Sequence, residues 1–273
     1  MGIKIITSRD NHSLKFARNV RNSKELGLIF IEGVRIAEEA LRSGLVLRSC
    51  FVSDEFRDSD PGRALLRKLD GERIETFAVS DRLFGSIADT ENPQGIAFIA
   101  DRPALSRLQI EENVNDGDRA MPIVVYLQSI NNPSNLGAIL RTAEAAGVAG
   151  VVVSKNSANV FSAKAIRASM GSIFRIPIWA DASLEDVCGW AKEHGLMLSA
   201  ADIGPGNEYS NVDWRRARLL VFGSEAHGLS KNDSRIMDEI IRVPMANGVE
   251  SLNLAVTCGI LLFEAKRQVS ESN

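Results

Sequence analysis

The chain has 273 residues, of which 45% are hydrophobic and 25% are charged, and its formal net charge is −3. This composition excludes a fibre and a disordered chain, and the length suits two domains of ordinary size. The near-neutral charge argues against a protein that binds nucleic acid through a strongly basic tail. Three cysteines and three histidines, widely spaced, predict neither a disulfide framework nor a metal site.

The apolar stretches are too short or too polar to cross a bilayer, and no secretory signal pattern opens the chain. We therefore expect no membrane association and a cytoplasmic location.

The amino-terminal segment is more basic than the average suggests. Its first 24 residues carry six basic side chains and one acidic one, a local charge of +5. A solvated helix explains such a segment as well as an RNA contact does. The candidate phosphate-binding residues are Arg9, Lys15, Arg18 and Arg21.

Apolar periodicity predicts an α/β domain over residues 1–104. The predicted strands are 28–31, 46–52, 74–79 and 96–100, and the predicted helices are 34–42, 62–69 and 81–87. Periodicity is then lost in a segment rich in Asn, Asp, Gly and Pro, and we interpret residues 105–121 as a linker.

The remainder, residues 122–273, predicts a second α/β domain built on a parallel sheet. The predicted strands are 123–127, 151–153, one near 174–178, 196–200, 218–222 and 240–243. The predicted helices are 136–146, 162–170, 184–194, one after 229, and a long one at 252–268. In such sheets, ligands bind beyond the carboxyl ends of the strands.

Three polar, glycine-bearing loops follow predicted strands of this second domain. They read SINNPSNLGAILR from Ser129, GSEAHGLS from Gly223 and PMANGVESLNLAV from Pro244. Helix capping explains each loop singly, whereas convergence at one edge of the sheet predicts a single site. Neither a GxGxxG fingerprint nor a P-loop is present, which disfavours a dinucleotide-dependent oxidoreductase and a nucleoside triphosphatase.

Taken together, the segments NNPSNLGAILRTAEAAG, LVFGSEAHGLS and VPMANGVESLNLAVTCGILLFEAKRQ resemble the three ordered motifs of the SpoU (TrmH) family of RNA ribose 2′-O-methyltransferases. The segments SRDNHSLKFARNV and FIEGVRIAEEAL resemble the substrate-binding domain of its ribosomal-RNA members. The resemblance implies a small ribosomal-protein-like α/β domain and a SPOUT domain with a parallel sheet and a deep trefoil knot. It also implies a homodimer that binds S-adenosylmethionine and RNA, without a metal.

The resemblance assigns roles to residues of the three motifs. The implied catalytic residues are Asn135, Arg141, Glu225, Ser251 and Asn253. The implied cofactor-binding residues are Ala200, Gly223, Val243, Met245 and Leu252, and at Ala200 the sequence LSAADIG departs from the threonine common in the family.

The implied reaction is methylation of a ribose 2′-hydroxyl, with 23S ribosomal RNA as the favoured substrate. A guanidinium is a poor base, so contact with a phosphate or a developing alkoxide suits Arg141 better than proton abstraction. Two alternatives stay open. One is methylation of transfer RNA, and the other is a non-catalytic RNA-binding or ribosome-assembly protein on the same fold.

Overall fold

The computed structural model describes residues 2–70, 74–116, 121–246 and 249–271. The chain forms two compact units. The first contains the chain up to Pro103 together with Asn159–Phe174, and the second contains Ala104–Ala158 and the chain from Arg175 onward. The division into domains at 104 and 122 stays a prediction, since the segment 159–174 clusters with the first unit.

The first unit is built on a five-stranded mixed sheet in the order β1-β4-β3-β5-β2, in which β5 runs antiparallel to both neighbours. Its strands are β1 Lys4–Ile6, β2 Leu28–Glu32, β3 Leu47–Ser53, β4 Glu75–Val79 and β5 Ile96–Asp101. Its helices are α1 His12–Arg21, α2 Val34–Arg42, α3 Asp54–Asp58, α4 Asp60–Leu69, α5 Asp81–Gly85 and α8 Ala163–Ser169.

Local sequence explains how α1 forms. The side chain of Asn11 accepts a hydrogen bond from the Ser13 N–H at 2.8 Å and caps the helix. Leu14, Ala17 and Val20 recur at helical spacing and are buried. The helix therefore has one apolar face in the core of the first unit.

The second unit is built on a seven-stranded parallel sheet in the order β10-β12-β9-β11-β6-β7-β8. Its strands are β6 Ile123–Leu127, β7 Gly150–Val153, β8 Ile178–Ala180, β9 Met197–Ala201, β10 Asn207–Glu208, β11 Arg218–Phe222 and β12 Glu239–Arg242. Its helices are α6 Arg107–Asn115, α7 Pro133–Ala146, α9 Leu184–Glu193, α10 Lys231–Arg235 and α11 Leu254–Ser270.

Besides the added short elements β1, α3 and β10, two expected segments have a different structure. Residues 107–115 of the expected linker form helix α6, because Ile110 is fully buried in the core of the second unit. Ile110 occupies the space beside Gly150, where a Cβ atom would lie 2.5 Å from its side chain. The strand expected near 174–178 is Ile178–Ala180, and a short 3₁₀ turn occupies Ser172–Phe174.

A buried polar cluster joins the amino ends of β11 and β12 to the middle of β9. The guanidinium of Arg218, 1% exposed, donates to Ser199 Oγ at 3.0 Å, to the carboxylate of Glu239 and to the Asp213 carbonyl oxygen at 2.5 Å. Burial lowers the pKa of Arg218, and the neighbouring Glu239 opposes that shift. These contacts hold the three strands in register at the end opposite the motif loops.

Within the described ranges, no helix is both long enough and apolar enough to cross a membrane.

Candidate functional site

A cavity of about 650 Å³ lies at the carboxyl ends of β9, β11 and β12. It is lined by Asn135 and by residues of the segments 201–203, 222–229, 241–245 and 250–257. Parallel strands end at a common edge of a sheet, which is why loops far apart in sequence meet there.

The first loop, between β6 and α7, is held by short polar contacts. The N–H of Ser129 donates to Ser154 Oγ at 2.8 Å, and that of Ile130 donates to Ser157 Oγ at 3.1 Å. Asn132 caps α7 by accepting a hydrogen bond from the Ser134 N–H at 2.9 Å. Capping thus occupies Asn132 and leaves the side chain of Asn135 available to the cavity.

Glu225, in the second loop, joins that loop to the first. Its Oε2 accepts hydrogen bonds from the backbone N–H groups of Asn131 and Asn132, both at 3.2 Å. Its Oε1 accepts a hydrogen bond from the Nδ2 of Asn135. One exposed glutamate therefore orients the start of α7, a role that its exposure alone does not suggest.

Asn253, in the third loop, completes the connection. Its Nδ2 donates to Asn135 Oδ1 at 3.2 Å. Its Oδ1 accepts from the N–H groups of Ala255 at 2.9 Å and Val256 at 3.4 Å, which caps α11. Glu225, Asn135 and Asn253 thus form one chain of hydrogen bonds that links all three loops.

The second loop needs glycine at Gly223. A Cβ atom there would lie 2.3 Å from the carbonyl carbon of Gly228 and 2.5 Å from the backbone nitrogen of Leu229. Ser224 and Gly228 exchange two backbone hydrogen bonds, of 3.0 and 2.9 Å, which close the loop tightly. Gly228 has a φ of +62°, a conformation that glycine adopts without strain.

Four of the five expected cofactor-binding residues line the cavity: Gly223, Val243, Met245 and Leu252. Ala200 is fully buried within β9 and is not among the lining residues, whereas Ala201 and the two residues after it are. The positions on either side of this shift, Ala200 and Ala201, are both alanine, so residue type does not tell the buried position from the one at the cavity.

The expected catalytic residues divide into two groups. Asn135, Glu225, Ser251 and Asn253 line the cavity. Arg141 lies farther along α7, exposed and outside the lining, and no hydrogen bond or ion pair of its guanidinium is found among the described residues. The structure of a single chain therefore does not bring Arg141 together with the others.

Sequence reasoning missed several lining residues. His227, expected to be structural or a surface residue, lines the cavity, as do Asp202, Ile203, Glu250 and Thr257. His227 and Glu250 belong to the motif loops, so their position in those loops was an available signal. Among the described residues, no group of three or more His, Cys, Asp or Glu side chains is arranged to hold a metal ion.

The four basic residues of the first unit that were expected to bind RNA also fall into two groups, those with internal hydrogen bonds and those that are exposed. Arg18 donates to the Arg9 carbonyl oxygen at 3.0 Å and to Ser86 Oγ at 3.3 Å, and Arg21 donates to the Ala88 carbonyl oxygen at 2.6 Å. Arg9 and Lys15 are exposed, with Lys15 Nζ 3.1 Å from an Asp10 carboxylate oxygen. Arg18 and Arg21 thus have internal contacts that hold the segment after α5.

Comparison with known proteins adds family information to this geometry. The model of the SpoU rRNA Methylase family matches residues 122–263, and the model of the MRM3-like substrate binding domain matches residues 12–97. The 23S rRNA (guanosine(2553)-2'-O)-methyltransferase RlmP of Bacillus subtilis is 28% identical over 270 residues, which cover 97% of this chain and 100% of RlmP.

Two crystal structures with bound AdoMet are similar over nearly the whole chain. An rRNA methyltransferase from Sinorhizobium meliloti has a TM-score of 0.82 and 28% identity, covering 97% of this chain and 98% of its own. The SpoU methyltransferase AviRb from Streptomyces viridochromogenes has a TM-score of 0.81 and 26% identity, covering 94% of this chain and 98% of its own.

Proposed function

This chain belongs to the SpoU rRNA methylase family, and from that premise we propose that it transfers the methyl group of S-adenosylmethionine to a ribose 2′-hydroxyl of ribosomal RNA, with 23S RNA favoured. The observation that carries the proposal is the hydrogen-bond chain Glu225–Asn135–Asn253, which joins the three family motifs at one cavity. Relatives named as 23S rRNA 2′-O-methyltransferases support the choice of substrate.

The cavity fits the proposed donor. Its volume of about 650 Å³ falls within the range of about 300–1,000 Å³ typical of small-molecule sites. Gly223 contributes backbone to its lining, and Val243, Met245 and Leu252 add apolar side chains. The bound donor supplies an electrophilic methyl group on a sulfonium.

The donor would supply the methyl group and keep the electron pair of the S–CH₃ bond as a thioether, while the 2′-oxygen gains the methyl group and its proton passes to water. An in-line displacement depends on placement, which is worth up to about 7–11 kcal/mol of the barrier. Ser251 and Asn253 orient the hydroxyl, and Asn253 is itself held in place by Asn135.

Arg141 acts as a positioning and charge-stabilising group. Its guanidinium is exposed and has no internal partner among the described residues, so it is available to a phosphate of the substrate or to a developing alkoxide. A guanidinium is a poor general base because it stays protonated in proteins.

A second copy of the chain completes the proposed enzyme. Val256 and Phe263, seven residues apart on one face of α11, are 50% and 49% exposed, and an apolar face of this kind suits a subunit interface. The connection from β12 to α11 contributes residues to the cavity wall. The trefoil knot that the family resemblance implies for this part of the chain is also part of the proposal.

The first unit recruits the RNA, in keeping with the MRM3-like match over residues 12–97. Arg9 and Lys15 are the better candidates for phosphate contacts, because Arg18 and Arg21 already have internal contacts. A ribosomal substrate agrees with the cytoplasmic location expected from the sequence.

The test is methyl transfer from labelled S-adenosylmethionine to ribosomal and transfer RNA, with the modified ribose mapped on each. We expect a single ribose in 23S RNA to be labelled. Arg141→Ala is expected to abolish transfer while equilibrium dialysis still detects donor binding. Labelling of transfer RNA alone would move the substrate to that class, and donor binding without transfer to any RNA would indicate a non-catalytic protein.

A further inference from the structure

The cavity has an unbalanced set of charged groups. Its described lining includes three carboxylates, on Asp202, Glu225 and Glu250, and one imidazole, on His227. No lysine or arginine occurs among these lining residues. A cavity lined in this way favours a positively charged ligand over a neutral one.

Asp202 has the most distinctive environment of the three. Its carboxylate is half-buried at the end of β9, and its N–H donates to the Ile241 carbonyl oxygen at 3.0 Å. Oδ1 accepts a hydrogen bond from the Gly204 N–H at 3.0 Å, and no partner of Oδ2 is found in the described parts of the chain. The carboxylate is therefore fixed in position with one oxygen available to a ligand.

The other two carboxylates are less suited to this role. Glu225 accepts three hydrogen bonds from the first loop, and those donors offset much of its charge. Glu250 is exposed, so water and salt screen it.

Arg242, which adjoins the cavity lining in the sequence, does not cancel the charge of Asp202. Arg242 lies between two lining residues, Ile241 and Val243, but its Nη2 is 2.8 Å from Glu208 Oε1. This arginine is therefore already paired with another acid. It does not neutralise the half-buried carboxylate of Asp202, whose negative charge acts within the cavity.

Methyl transfer changes the charge of the cofactor. The donor has a sulfonium cation, whereas the product, S-adenosylhomocysteine, has a neutral thioether in the same position and is otherwise identical. We infer that Asp202 is a specificity residue of this cavity, which makes the protein bind the cationic donor more tightly than its neutral product. The inference rests on the proposed function, because it takes S-adenosylmethionine as the ligand.

The test measures dissociation constants of the full chain by calorimetry at low salt. The ligands are S-adenosylmethionine, S-adenosylhomocysteine and sinefungin, an analogue with an amine cation in place of the methyl sulfonium. We expect both cations to bind about tenfold more tightly than the thioether, a ratio that corresponds to a modest through-space attraction in a partly solvated site. Asp202→Asn is expected to reduce that ratio to about twofold, chiefly by weakening the two cations.

Matched variants separate charge from structure. Asp202→Glu keeps the charge and is expected to keep most of the preference for cations. Asp181→Asn changes an exposed carboxylate just beyond β8, outside the cavity lining and with a φ of +62° that asparagine tolerates, and is expected to leave the ratio unchanged. Should Asp202→Asn fail to fold, the wild-type ratio must still fall as salt rises from about 0.05 to 0.5 M.

The outcomes distinguish the two proposals. A wild-type protein that methylates RNA but binds all three ligands equally, or an Asp202→Asn ratio equal to that of the wild type, overturns the role of Asp202 and leaves the methyltransferase function intact. A wild-type protein that binds none of the three ligands and methylates no RNA overturns the proposed function itself.

Discussion

Replacing Gly223 with alanine tests whether the second loop needs the close backbone contact of Gly223 with Gly228 and Leu229. The added Cβ would lie 2.3 Å from the Gly228 carbonyl carbon and 2.5 Å from the Leu229 nitrogen. Carbon atoms in favourable contact are about 3.5–4.0 Å apart. Both obstacles are backbone atoms, which have no alternative rotamer, so the loop has to move by about 1 Å or more to accept the methyl group.

The cost of that movement has two parts. Forcing a methylene into a packed site destabilises by about 1–3 kcal/mol, which for a unit of this size lowers the melting temperature by roughly 2–12 °C. Misplacement of a binding surface by about 1 Å costs on the order of 100-fold in rate. We therefore expect Gly223→Ala to lose most of its donor affinity and at least 99% of kcat/KM for methyl transfer, even where the variant still folds.

Gly189→Ala is the matched control. Gly189 lies within α9, and a Cβ atom there would meet nothing within 4 Å. Alanine at such a position stabilises a protein by about 0.4–1 kcal/mol, so its melting temperature is expected to rise slightly with unchanged donor binding. Differential scanning calorimetry and equilibrium dialysis measure both variants. If Gly223→Ala matches the wild type in both measurements, the close approach in the second loop does not exist in solution.

The remaining predictions concern stability, thiol chemistry and RNA contact. Arg218→Met is expected to cost about 3 kcal/mol in urea unfolding, because it leaves the part-buried carboxylate of Glu239 without a counter-charge, and an unchanged midpoint would contradict this. Burial raises the pKa of Cys188 to about 11, so the native thiol should resist iodoacetamide at pH 8 and react on unfolding; rapid native labelling would refute its burial. Replacing Arg9 and Lys15 together with glutamine should weaken RNA binding and flatten its salt dependence without changing the melting temperature. Arg21→Gln should instead lower the melting temperature, since it removes an internal contact.

Local pattern predicted the elements of the fold but not their long-range partners. Residues 34–42 and 218–222 have the predicted bounds, because their apolar spacing is regular and glycine or polar residues flank them. Helix α8 was predicted from the same kind of pattern, but nothing in its sequence indicates that it belongs to the first unit. There Ala163 joins the core, and Arg167 lies 2.7 Å from a carboxylate oxygen of Asp89. Such contacts depend on tertiary packing and leave no periodic signal.

The helix within the predicted linker was not expected, for a related reason. Helix α6 has few apolar residues and weak amphipathic character, so its sequence resembles that of a loop. Ile110 is its one fully buried side chain, beside Gly150 of another segment, and Asn113 and Glu111 add hydrogen bonds to Ala149 and Trp190. A helix that is stabilised by contacts with distant segments does not show in any window of local sequence.

The motif residues were predicted from resemblance, and the structure adds the direction in which their hydrogen bonds run. A carboxylate only accepts, so Glu225 fixes Nδ2 of Asn135 as the donor toward it. Asn135 must then present its oxygen to Asn253, whose own oxygen is left to cap the 17-residue helix α11. The donor-to-acceptor direction of all these hydrogen bonds therefore follows from one carboxylate, which can only accept. A glutamine at 225 would have about the same size but could also donate, so it would no longer fix that direction. The acidic residue of the second loop therefore sets the direction of the hydrogen bonds in the first and third loops, a role that an exposed glutamate fills in addition to any part in the chemistry.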